Sequence, residues 1–118
     1  MKKYLLSIVI FLTSSFSVPV LSGTPPFQGC IELGCIGKID KIYLHPSGMV
    51  KVPPPIGADT SKLKCTLSEG VFITLKREHV HFKEMYSILL SAHASGKEVY
   101  LRVIVDSPDC EIHYSVIY

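Results

Sequence analysis

Histidines, carboxylates and cysteines are the side chains through which this 118-residue chain could do chemistry, and their spacing limits which chemistry. The densest cluster is Glu78-His79-Val80-His81, with Glu84 one turn further on. Alternate residues of an extended segment point the same way, so His79 and His81 could share a metal ion. A catalytic zinc site needs three protein ligands. His45, His93 and His113 are scattered, and none supplies the third at a fixed spacing. Without a metal, the same residues decorate an exposed connection between a strand and a helix. A nucleophilic enzyme needs Ser or Cys beside a base, and the chain has no Gly-x-Ser-x-Gly elbow. It has no phosphate-cradling glycine loop and no dinucleotide fingerprint. A glycosidase pair could be drawn from the ten acids, but a near-neutral surface accounts for them without one. The residues favour a protein with no catalytic residue, no metal and no cofactor.

The four cysteines are Cys30, Cys35, Cys65 and Cys110. The spacing lacks the paired C-x2-C knuckles of a structural zinc site. An even count in a small exported chain reads as a disulfide framework, with three connectivities open. The favoured one pairs Cys30 with Cys35 across a short loop, and Cys65 with Cys110 between segments expected to be neighbouring strands.

Export is read from the first 22 residues. Lys2 and Lys3 precede an apolar run, Tyr4 to Leu12, broken only by Ser7. Thr13, Ser14, Ser15 and Ser17 follow, then Pro19. That is the order of a secretory signal peptide, with cleavage favoured after Ser22. The run is about half of the ~20 residues a membrane-spanning helix needs. The expectation is a secreted or periplasmic protein, not membrane-embedded once mature. Losing Lys2 and Lys3 leaves ten basic against ten acidic side chains. A neutral domain carries no cationic footprint for nucleic acid. The mature remainder, roughly 95 residues, holds one domain with one core.

Residues 23–36, carrying Cys30 and Cys35, read as an N-terminal arm, and 37–118 as the domain. Lys38 to His45 and Met49 to Val52 flank the turn Pro46-Ser47-Gly48 as a hairpin, and Pro53-Pro54-Pro55 ends it. Leu63, Cys65 and Leu67 recur at period two, Ser68-Glu69-Gly70 turns the chain, and Val71 to Leu75 is β-branched and apolar, so it reads as a buried strand. Phe82 to Ser95 is the one helix: Phe82, Met85, Leu89 and Ala92 form a stripe, with Tyr86, Leu90 and His93 beside it. Glu84 suits its first turn and Gly96 its left-handed stop. Glu98 to Val105 alternates with Val99, Leu101, Val103 and Val105 inward. Cys110 to Tyr118 alternates with Ile112, Tyr114, Val116 and Tyr118 inward. Strands, one helix, then two strands (β-β-β-α-β-β) is the order of a mainly β, five-stranded Greek-key barrel of OB-fold type. An open α+β sheet with one covering helix, or another small β-roll, shares it.

With catalysis unsupported, binding is the leading function. Tyr43, Tyr100 and Arg102 are the candidate contact surface, since aromatic and Arg side chains are common anchors. Tyrosines on strands also serve β packing.

From the helix onward, Ile88-Leu89-Leu90-Ser91-Ala92, Ser95-Gly96-Lys97, Val99-Tyr100-Leu101-Arg102-Val103 and Cys110-Glu111-Ile112 are familiar as an arrangement. With Cys65 before them, the chain resembles small exported bacterial OB-fold proteins over about residues 37–118. These include the B subunits of subtilase-cytotoxin-type and pertussis-type toxins. The resemblance implies a homo-oligomeric ring that recognises glycans, and it carries no sugar-contacting residue onto this sequence. The Cys30/Cys35 pair, the proline-rich loop and the lack of tryptophan depart from that pattern. The expected function is a non-catalytic binding module for a glycan or a protein. The alternative is a structural or inhibitory protein of the envelope acting through a protein–protein surface. A metal-dependent enzyme using His79 and His81 ranks third.

Overall fold

The structure, a computed structural model, describes residues 14–17 and 23–118. The expected leader, residues 1–22, lies outside the described residues except for 14–17. Among the described residues the fold is mainly β, with two antiparallel sheets and one helix. The elements are β1 (Gly29–Ile31), β2 (Gly34–Lys38), β3 (Tyr43–Leu44), β4 (Val50–Val52), a 3-10 turn (Thr60–Lys62), β5 (Ile73–Leu75), α1 (Phe82–Ser95), β6 (Glu98–Val103) and β7 (Ile112–Ile117). The sheets run β1-β2-β6-β7 and β3-β4-β5.

The segment expected to be an arm instead supplies β1 and most of β2. Cys30 faces Cys35 in the β1–β2 register and is disulfide-bonded to it. Glycine makes this strand pair fit. A Cβ on Gly34 would stand 2.1 Å from the Leu101 carbonyl oxygen and 2.9 Å from Cε2 of Tyr100, at a φ of +152°. Only glycine lets β2 lie this close to β6. Such a segment lacks the alternation that marks a strand.

The second sheet is built on the hairpin read from sequence. Tyr43 pairs with Lys51 and Leu44 with Val50. The turn closes through His45 N–H to Met49 O at 2.9 Å and Gly48 N–H to His45 O at 2.8 Å. Strand β5 is shorter than expected. Ser68 and Phe72 exchange backbone hydrogen bonds around Glu69-Gly70, and positive φ at Glu69 (54°) and Gly70 (72°) turns the chain there. Val71 is therefore exposed at the turn. Lys62 to Leu67 forms no ladder, because its backbone bonds to loops. Lys64 N–H donates to Glu32 O, Thr66 N–H to Ser107 O, and Lys64 O accepts from Asp106 N–H.

The two sheets meet at one parallel bridge between Thr74 and Glu111, where Thr74 N–H donates to Cys110 O at 3.1 Å. The Cys65–Cys110 disulfide joins the loop before β5 to the loop before β7 at the same place. Between the sheets lies the core: Val50, Val52, Ile73, Leu75, Val99, Leu101, Val103 and Ile112, capped by Met85, Leu89 and Ala92 of α1. Gly96, at φ 64°, ends α1, with Lys97 N–H returning to Ala92 O. His93 lies outside the packed face, where its Nδ1 bonds Ile39 O at 2.9 Å.

The last strand departs from its sequence pattern. Arg102 pairs with Tyr114 but Val103 pairs with Ile112, so His113 is an extra residue opposite that step. Such a bulge reverses the side-chain alternation beyond it. Ile112 stays buried, but Tyr114 and Val116, expected inward, are exposed, and Ile117 packs on the core in their place.

Candidate binding site

Side chains on the outward face of β3-β4-β5 form a cross-strand row. Tyr43 pairs with Lys51, Lys51 with Thr74, and Thr74 bridges to Glu111. Ile73 and Leu75 point to the core, so Thr74 points outward between them. Phe72 and Glu69, from the turn before β5, close over the row.

A cleft of about 240 Å³ opens here, lined by Tyr43, Leu44, His45, Pro46, Lys51, Glu69 and Phe72. The Tyr43 and Phe72 rings meet edge-to-face at 5.2 Å, the preferred aromatic geometry. Lys51 is the unusual member, 5% exposed. A buried ammonium is costly unless it is paired. Its Nζ lies 3.4 Å from Glu69 Oε2 and 5.8 Å from the Phe72 ring centre. The left-handed backbone at Glu69 delivers that carboxylate, a strained conformation for a non-glycine residue. At the rim, His45 Nδ1 accepts from the Ser47 N–H at 3.2 Å. Its proton is therefore on Nε2, which faces no partner among the described residues.

The cleft thus offers an aromatic wall, an ammonium, a carboxylate and an imidazole N–H. That set matches a ligand with an apolar face and several hydroxyls. The volume is below the roughly 300–1,000 Å³ of enclosed small-molecule pockets, so it suits one ring held at a surface. Beside the cleft, the Cys65–Cys110 disulfide joins two loops. Lys76 Nζ meets Asp109 Oδ2 at 2.5 Å and Glu111 Oε1 at 3.6 Å, next to the Cys65–Cys110 bond. The Lys76 hydrogen bond holds the Asp109 carboxyl below the usual carboxylate range, and the same bond raises Lys76 above the usual ammonium range.

The three candidate contact residues do not form one surface. Tyr43 lines the cleft, whereas Tyr100 and Arg102 lie on the outward face of the other sheet. Tyr100 is almost fully buried there, between Phe27 at 5.5 Å and Tyr114 at 6.0 Å. Hairpin register alone would have placed Lys51 beside Tyr43. Phe72 and Glu69 carry no such signal: the turn Ser68-Glu69-Gly70 is marked in the sequence, but its closure onto Lys51 is not.

The histidine pair is not arranged for a metal. The His79 and His81 rings are 6.3 Å apart, and both nitrogens of His79 are hydrogen-bonded within the protein. No group of three or more metal-ligating side chains occurs among the described residues.

A larger groove of about 640 Å³ runs past Gly37, Pro55, Ile56 and Glu98. Its charges, Lys38, Asp40 and Glu98, show no common sign. No helix among the described residues is long and apolar enough to cross a membrane. Comparison with protein families, curated proteins and solved structures gave no significant match.

Proposed function

We propose that this is an exported, non-catalytic binding module of OB type, and that the Tyr43–Phe72 cleft holds a glycan. The observation that carries this reading is a buried Lys51 ammonium beside the Tyr43–Phe72 aromatic pair, held by Glu69 at 3.4 Å, with His45 on the same cleft lining. A pyranose has an apolar face for the rings and hydroxyls for the three polar groups. Two disulfides favour an oxidising compartment, in keeping with the signal-like leader.

The OB reading rests on connectivity. β2 and β3 are separated by only residues 39–42 and can count as one bent strand. The circuit then runs β2/β3, β4, β5, across the Thr74–Glu111 bridge to β7, then β6, and back to β2. In that circuit α1 falls between the third and fourth strands, and the cleft lies on the strand 2–3 face that OB-folds use for oligosaccharides. Relation to the toxin B subunits, and a homo-oligomeric ring, are part of the same proposal.

A glycan array combined with size-exclusion light scattering tests it. Binding to a discrete set of glycans by a ring-sized species supports the whole reading. A flat array removes the glycan module, and glycan binding by a strict monomer removes only the ring.

A further inference from the structure

We propose that the Tyr43–Phe72 cleft selects an uncharged pyranose carrying an acetamido group, with Leu44, His45 and Pro46 as the lip that determines this specificity. The inference rests on the glycan reading above and names the class of sugar that the cleft takes.

The first observation is the lip. Leu44, His45 and Pro46 are consecutive, and all three line the cleft. Leu44 is 63% exposed and Pro46 is exposed as well, so a donor is flanked in sequence by two open apolar side chains. His45 Nδ1 is occupied: it accepts from the Ser47 N–H at 3.2 Å and meets Ser47 Oγ at 2.7 Å. The ring proton therefore sits on Nε2, which is unspent among the described residues. A hydroxyl placed there would use the donor and leave the apolar lip wet. An acetamido group uses both: its carbonyl accepts from Nε2–H while its methyl lies on Leu44 and Pro46.

The second observation is an acceptor for the acetamido N–H. Among the described residues only Oε2 of Glu69 is engaged, with Lys51 at 3.4 Å, and the Glu69 side chain is 62% exposed. The carboxylate therefore has room for a ligand N–H, in a charge-assisted hydrogen bond. Methyl, carbonyl and N–H of one substituent each have a counterpart on the cleft lining.

The third is the charge balance. Among the described residues Lys51 is the one ammonium on the lining, and it is 5% exposed. Glu69 compensates it directly. After Lys76, Lys51 is a further cation holding the Asp109 carboxyl low. A lysine shared by two carboxylates holds no charge in reserve for a sugar acid. The exposed charge at the cleft is that of Glu69, which repels an anionic ligand. The class is thus a neutral N-acetylhexosamine, not a uronic or other acidic sugar.

The test titrates the full disulfide-bonded protein, labelled with 15N, with methyl glycosides of N-acetylglucosamine, N-acetylgalactosamine, glucose, galactose and glucuronic acid. The N-acetyl glycosides should bind about tenfold tighter than their parent hexosides, the worth of one hydrogen bond and one buried methyl. They should also shift the His45 Nε2 signal, which the parent hexosides leave in place. The glucuronide should bind no tighter than the glucoside. His45→Asn keeps an acceptor for the Ser47 N–H but lacks the Nε2–H. It should bind the parent hexosides as before and lose most of the N-acetyl preference. Leu44→Ser, at an exposed side chain that makes no bond to Ser47, should lower the same preference roughly threefold. Equal affinity for N-acetyl and parent sugars, with saturable shifts in the cleft, overturns this inference and leaves the glycan reading standing. So does a tighter glucuronide, or a full N-acetyl preference in His45→Asn. No cleft shift with any of these glycosides removes the glycan reading, and this inference with it.

Discussion

His79 and His113 are joined across the molecule: the His79 Nε2–H donates to the His113 carbonyl at 2.8 Å. The other ring nitrogen, Nδ1, accepts the backbone N–H of His81 at 3.0 Å. That second bond fixes the tautomer, because a backbone N–H can only donate. His79 therefore ties the start of α1 to the bulge in β7 and keeps no lone pair for a metal.

The first prediction follows from that geometry. Excess zinc leaves the unfolding temperature unchanged, and so does a chelator, as read by differential scanning calorimetry. His79→Ala lowers stability by about 1–2 kcal/mol through the loss of two hydrogen bonds. A zinc-dependent rise in unfolding temperature that His79→Ala abolishes would show that the ring is free to ligate.

The disulfides make unequal contributions. On chain entropy, Cys65–Cys110, with a sequence separation of 45, contributes about 4 kcal/mol, and Cys30–Cys35, with a separation of 5, about 2. Urea unfolding of the paired alanine variants should rank them in that order. Equal losses would contradict the loop-length account.

Gly34→Ala is expected to be the most damaging small substitution. The added methyl meets the Leu101 carbonyl oxygen at 2.1 Å, at a φ that alanine rarely adopts. A loss of about 3 kcal/mol or more is expected from the clash and the backbone strain together. Gly57→Ala, also at positive φ but with nothing within 4 Å, should cost less. Thermal unfolding of the two variants side by side checks this, and equal stability would contradict the packing of β2 on β6.

Acid and base should loosen the loops beside the cleft at opposite ends of the pH range. Asp109 titrates below its unfolded value of about 3.9. Its contribution is therefore complete above that pH and is lost as pH falls through the lower folded value. Lys76 titrates above about 10.4, so its contribution is complete below that pH and is lost as pH rises through the higher folded value. Side-chain exposures of 26% and 32% allow solvent screening, so Asp109→Asn costs about 1 kcal/mol or less at neutral pH. Urea midpoints across the pH range should show a flatter acid limb in Asp109→Asn. An unchanged limb would remove the pair from the stability account.

Much of this architecture is legible in the sequence where local chemistry and tertiary packing agree. The hairpin follows from its turn residues, although its first strand, read as Lys38 to His45, pairs with the second only over Tyr43–Leu44, and α1 follows from its stripe and Gly96. Strand β6 follows from strict alternation. Three features are not legible, each for a physical reason. The β1–β2 pair is held by a cross-strand cysteine bond and by a glycine that permits close approach, and neither produces a periodic pattern. The bulge at His113 leaves the apolar alternation of β7 intact in sequence while reversing it in space. The turn Ser68-Glu69-Gly70 is legible from Gly70, but that it brings Phe72 and Glu69 to Lys51 is a tertiary contact with no local signal. Tyr43 is legible as a candidate, and it lines the cleft. Its partners in the cleft depended on how the chain turns.

Amide shift mapping with a panel of methyl pyranosides tests whether the proposed cleft of Tyr43, Phe72, Lys51 and Glu69 holds a glycan. Shifts confined to Tyr43–Lys51 and Ser68–Phe72, saturating with one or a few sugars and absent in Tyr43→Ala, are the expected result. Saturable shifts elsewhere only, or none with any sugar, would contradict it.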